Sequence, residues 1–117
     1  MGICNIDHRG KKILYVDFSG LDHDGMVAQL ETLAALCERS AGKLAWLADL
    51  GGARLDAGFL ARAREVTRTR LSRRTRRSAA VGLEGLAGAL LRGAAAVAGS
   101  EVRPFADRWA ALDYLAG

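Results

Sequence analysis

Proline occurs once in this chain of 117 residues, at position 104, and cysteine twice, at positions 4 and 37. Two isolated cysteines have neither the close spacing of a metal site nor the density of a disulfide framework. Cys4 falls in an expected strand and Cys37 on an expected helix face, where a thiol behaves as a small buried hydrophobe. A run of 18 uninterrupted apolar residues is also lacking, and residues 1–10 carry Asp7, His8 and Arg9 rather than a signal-peptide core. No membrane span and no secretion are expected, and the cytoplasm is the expected compartment. Ile6 stands where a myristoylation signal needs serine or threonine. Lysine is scarce as well, with three against fourteen arginines.

What is present is an ordinary globular mixture, 50% hydrophobic and 26% charged, long enough for one core and a single domain over residues 1–117. The formal net charge is +4, but its distribution says more: eight arginines lie between Arg62 and Arg77, with Glu65 the only acid among them. Arg70, Arg73, Arg74, Arg76 and Arg77 form a candidate basic patch for an acidic protein surface or anionic lipid. No aromatic residue is interleaved for base stacking, so nucleic acid is not the expected partner. A solvated helix end is the plain alternative.

Ile3–Ile6 and Ile13–Phe18 read as two strands of a hairpin around Asp7-His8-Arg9-Gly10. The second is apolar at nearly every position, as for a strand covered on both faces. From His23 to Arg39, Met26, Val27, Leu30, Leu33, Ala34 and Cys37 recur at offsets 0, 1, 4, 7, 8 and 11, one face of an α-helix with Asp22 or Asp24 as cap. Leu44–Leu50 reads as another buried strand, ending at Gly51-Gly52. A second helix starts at Asp56, with Phe59, Leu60, Ala63, Val66, Thr67 and Leu71 inward. Arg70 falls within that face, so the helix is expected to leave the core there. Ser78–Leu83 reads as a strand, Glu84–Ala98 as a glycine-rich helix, and Val102–Phe105 as a last strand that Pro104 assigns to a sheet edge. Asp107 caps a terminal helix with Ala111, Leu112 and Leu115 inward. The order ββαβαβαβα predicts an α/β domain with a single, mostly parallel sheet of about five strands and an N-terminal hairpin.

Residues 13–21 (ILYVDFSGL), 47–56 (LADLGGARLD), 78–83 (SAAVGL), and Phe105 with residues 111–115 (ALDYL) resemble the small STAS-like (SpoIIAA-like) bacterial domains. The resemblance covers about Ile13 to Leu115 and implies the SpoIIAA-like fold. That fold group includes anti-sigma-factor antagonists, which bind a kinase or anti-sigma factor, and CRAL-TRIO domains, which carry lipids. In phosphorylated antagonists a serine follows the aspartate that opens the helix after the central strand. Here the matching stretch is Leu55-Asp56-Ala57-Gly58, and that hydroxyl is absent. Asp17-Phe18-Ser19-Gly20 has the letters of the switch but ends a hairpin strand, so phosphorylation of Ser19 is the less favoured alternative.

No catalytic constellation, metal site or cofactor motif is expected. His8 reads as a turn residue and His23 as a helix start, both solvated. Residues 82–88 (GLEGLAG) have the wrong spacing for a dinucleotide fingerprint and no following Lys-Ser or Lys-Thr for a P-loop, so a tight turn with close packing is the expected reading. Asp17 and Asp49 end central strands, where open α/β sheets place ligand crevices across which the two could pair, but the favoured reading is that each accepts hydrogen bonds from the following turn or caps a helix. The candidate partner or ligand surface is Asp17, Ser19, Asp49, Gly51 and Asp56. The expected function is a non-enzymatic protein-interaction module, with a homodimer possible. The alternative is a carrier or sensor of a lipid or other apolar small ligand held between the sheet and the helix 84–98.

Overall fold

The computed structural model describes residues 2–53, 56–82 and 102–117. β1 (Ile3–His8) and β2 (Lys11–Asp17) pair antiparallel. Their connection is only Arg9-Gly10, with φ of 52° and 75°. Two successive positive φ values define a type I′ turn, whose twist matches that of the strands it joins. The turn is therefore tighter than Asp7–Gly10, and Asp7 and His8 stay in the ladder opposite Lys12 and Lys11.

β3 (Leu44–Asp49), β4 (Thr75–Val81) and β5 (Val102–Pro104) join in parallel, giving a five-stranded sheet of order β1-β2-β3-β4-β5. Pro104 does lie on an edge strand. Among the described residues three helices cover the sheet: α1 (His23–Arg39), α2 (Ala57–Val66) and α3 (Arg108–Ala116). Each starts at an aspartate whose carboxylate accepts an otherwise orphaned amide, Asp22 from Gly25 at 2.8 Å, Asp56 from Phe59 at 2.7 Å and Asp107 from Ala110 at 2.8 Å. The expected helix 84–98 lies outside the described residues.

Alternation along the strands sends their apolar side chains to two cores. Leu14, Val16, Trp46, Ala48 and Ala80 meet α1 and α2 on one face, while Ile13, Leu47, Ala79 and Val81 meet Ala111, Leu112 and Leu115 of α3 on the other. Double-sided coverage is why these strands read as unbroken apolar runs. Cys37 is fully buried, and burial pushes its thiol up to about 11. Cys4 departs from expectation: it is exposed, because it sits on the outermost strand beyond the buried layer under α3.

α2 does not simply leave the core at Arg70. It passes into a π-helical turn, Thr67–Leu71, and a 3-10 turn, Ser72–Arg74. The wider turn changes the helix phase, so Leu71 is buried while Arg70 reaches α1. There its guanidinium is shared by Glu31 and by Glu38, the latter at 2.7 Å, and Arg62 binds Glu31 at 2.6 Å.

β4 starts three residues earlier than its apolar pattern suggests, at Thr75 rather than Ser78. The pairing with β3 slips by one residue here, Leu44 opposing Thr75 and Ala45 opposing Arg77. Arg76 and Arg77 both reach the end of α3, Arg76 donating to the carbonyls of Leu115 and Gly117, and Arg77 to Tyr114 at 2.6 Å. Cations at the C-terminal carbonyls of a helix also complement its dipole. Replacing Arg76 and Arg77 together by glutamine should therefore lower stability by about 1–3 kcal/mol, whereas the same change at Arg73 and Arg74 should have little effect. Urea unfolding of the two double variants checks this, and equal losses would contradict it.

Candidate functional site

The parallel register sets Asp17 directly beside Asp49 at the C-terminal ends of β2 and β3. Each carboxylate closes its own turn. Asp17 Oδ1 accepts the hydroxyl of Ser19 and also its amide, the latter at 2.9 Å, and these, the hydroxyl foremost, hold the Asp17 carboxyl below the usual range. Asp49 Oδ1 accepts the Gly51 amide at 3.0 Å. The turn reading of both residues thus describes their geometry.

Asp49 has a second role that its sequence neighbours do not signal. Its Oδ2 accepts the Tyr15 hydroxyl at 2.6 Å, and Arg108 from the first turn of α3 donates to that hydroxyl at 3.0 Å while lying over the Tyr15 ring, 4.8 Å from its centroid. Burial, followed by the hydrogen bond to Asp49, pushes the Tyr15 hydroxyl up to about 12. Tyr15 and Asp49 are diagonal neighbours on one face, since Tyr15 opposes Leu47. Only the strand register exposes that relation, and nothing local points to Arg108.

A raised folded-state value stabilises the protein fully below the unfolded value near 10, and this is lost as pH rises through about 12. Wild type should therefore lose stability more steeply between those values than Tyr15→Phe, which has no proton there to release. Equal slopes in chemical denaturation across that window would contradict the assignment.

Across the same end, His23 Nδ1 lies 3.2 Å from both carboxylate oxygens of Asp56, joining the starts of α1 and α2. The amide of Phe59, then the contact with His23, hold the Asp56 carboxyl below the usual range. Ala57 occupies the first helical position, so no hydroxyl follows the cap. Gly52 and Gly82 adopt positive φ beside this rim, and a Cβ on Gly82 would come within 2.4 Å of the Gly51 nitrogen. The loops after β3 and β4 thus touch backbone to backbone. Asp17, Ser19, Asp49, Gly51 and Asp56 are brought to one end of the sheet, with exposed Asp22 and Asp24 added by the start of α1.

The five arginines of the basic patch are divided among different tasks. Arg70 lies between Glu31 and Glu38, Arg76 and Arg77 hold the end of α3, and Arg74 donates to the Ser40 carbonyl at 3.4 Å. Arg73 is exposed. His8 is not a solvated turn residue: its side chain is 14% exposed and Nε2 lies 2.7 Å from Asp113 of α3, whose carboxyl the contact holds below the usual range. Among the described residues there is no group of three or more potential metal ligands, and no helix is long and apolar enough to cross a membrane.

The sheet order, the antiparallel hairpin followed by parallel strands, and the two-sided helical cover define a SpoIIAA-like α/β domain. A solved structure with this fold is an uncharacterized protein of the DUF3478 family from Shewanella loihica PV-4. The two superpose with a TM-score of 0.73 at 19% identity, covering 97% of this chain and 92% of the other. No protein-family model matches the chain, and no curated protein matches it. The structural likeness establishes the fold.

Proposed function

We propose that this domain is a non-enzymatic protein-interaction module of STAS-like fold that binds a basic partner surface through the end formed by Asp17, Ser19, Asp22, Asp24 and Asp56. The observation that carries the reading is the fixed geometry of that acidic rim. Asp17 is held by its turn, and Asp22 and Asp56 by the helix amides they cap. A pre-ordered rim loses little side-chain freedom on docking. The carboxylates of Asp17, Asp22 and Asp56 have structural partners rather than a shared proton-transfer geometry, which favours docking over catalysis. The apolar-ligand alternative depends on the helix expected from the sequence over 84–98, which lies outside the described residues.

Two arginines introduced at exposed positions, one in place of a neutral serine and one in place of an aspartate, test the proposal. Ser19→Arg with Asp24→Arg should abolish a partner complex that wild type forms in host extract, detected by cross-linking and mass spectrometry. Folding stability should fall by only about 1–2 kcal/mol, from the lost Ser19 hydroxyl contact with Asp17 and the lost acid in the first turn of α1, so the variant stays folded, and wild-type binding should weaken as salt rises. A complex that survives the two substitutions overturns the proposal, as does native mass spectrometry of host-purified protein that finds a retained lipid and no protein partner.

A further inference from the structure

We propose that the outer edge of β1 is a self-association surface, on which a second copy of this chain pairs antiparallel about a two-fold axis at Asn5 and continues the sheet from five strands to ten. This goes beyond the proposed partner rim and involves different residues.

The two edges of the sheet differ in how they are defended against pairing. β5 is three residues long and contains Arg103 and Pro104, features that discourage strand addition. β1 is six residues, Ile-Cys-Asn-Ile-Asp-His, without proline or lysine, and its register with β2 is unbroken from Ile3 to His8. Among the described residues no strand pairs with its outer side.

The hydrogen-bond phase of β1 limits how a copy can dock. Asp17 N–H donates to the Gly2 carbonyl at 2.8 Å, so Gly2 and Asp17 are a hydrogen-bonded pair. Alternation in an antiparallel ladder then points the backbone groups of Cys4, Ile6 and His8 inward to β2, and those of Ile3, Asn5 and Asp7 outward. A symmetric copy can bond only in registers that set these outward residues against one another. Centring the axis on Asn5 pairs Ile3 with the other copy's Asp7 at both ends and uses the whole strand. Centring it on Cys4 or Ile6 uses less of the strand, and centring it on Asp7 opposes two carboxylates.

The side chains favour the same register. On the face shared with α3, exposed Cys4 of each copy meets half-buried Ile6 of the other, so one exposed and one half-buried apolar side chain per chain gain cover. On the opposite face the two Asn5 amides meet at the axis, where each can donate to and accept from the other. At the end of the strand, Trp109 is 69% exposed with its ring 5.9 Å from that of His8. His8 of one copy falls opposite Gly2 of the other, which leaves room for this indole along the junction.

Sedimentation velocity of the full chain under reducing conditions should show a concentration-dependent dimer. Asn5→Lys places two ammonium groups at the axis and should weaken the dimer at least about tenfold, with the monomer's far-ultraviolet circular dichroism unchanged. A separate variant, Ile6→Cys, reads the register without depending on that one. Mild oxidation should link Cys4 of one copy to the introduced thiol at position 6 of the other, because non-hydrogen-bonded pairs bring Cα atoms to about 4.5 Å. A wild type that stays monomeric throughout the series overturns the proposal. So does a dimer indifferent to Asn5→Lys, or a cross-link that joins Cys4 to Cys4.

Discussion

Gly82→Ala is expected to destabilise the protein by about 3 kcal/mol or more, lowering the melting temperature by roughly 10–20 °C. Gly82 has φ of +81°, and its missing Cβ would lie 2.4 Å from the nitrogen and 2.7 Å from the Cα of Gly51, and 3.1 Å from the carbonyl carbon of Leu50. The left-handed conformation alone costs alanine about 1–2 kcal/mol. The larger share is the clash, because every atom met is backbone and cannot rotate away. Nor can the loop shift freely, since Leu50 N–H donates to the Val81 carbonyl at 2.9 Å immediately before this contact. Gly10→Ala supplies the control: its φ is +75°, and nothing lies within 4 Å of its added Cβ. It should lose only the conformational part. Equal losses at positions 10 and 82, measured by calorimetry, would refute the close-approach argument.

That contact lies in a stretch whose glycines carry little meaning when read alone. Gly82-Leu83-Glu84-Gly85 suggests a turn, but the need for glycine at position 82 comes from Gly51, in the turn after β3. The same division separates what local sequence reveals from what it conceals. α1 spans His23–Arg39, the bounds its pattern gives, because both its apolar period and its aspartate cap are local signals. The start of β4 is concealed, because Thr75-Arg76-Arg77 looks like solvated surface until the carbonyls at the end of α3 are placed beside it. Asp17 and Asp49 are legible as strand-end turns, each accepting an amide two residues ahead. The Tyr15–Asp49–Arg108 cluster is not, for its members come from three elements and meet only through register and helix placement. His8 likewise looked exposed because Asp113 is 105 positions away. Local periodicity, caps and turns were readable, whereas polar contacts between distant elements required the fold.

Leu71→Ala should cost about 2–5 kcal/mol, although the residue sits within the most arginine-rich stretch of the chain. Leu71 is 1% exposed and packs in the core between the sheet and α1, at the end of the π-helical turn. Truncating it removes apolar contacts and leaves a cavity lined by neighbours that are themselves held by strands. Arg70→Gln, one residue earlier, is expected to be much milder. Its side chain is 32% exposed, and its ion pairs with Glu31 and Glu38 face solvent, where screening and side-chain ordering offset most of the attraction. The two variants therefore ask which force fixes the end of α2. If packing does, the urea midpoint should fall far more for Leu71→Ala, and added salt should leave that difference nearly unchanged. A larger loss for Arg70→Gln, shrinking as salt rises, would mean that the charges hold the π-helical turn and that Leu71 is buried only as a consequence.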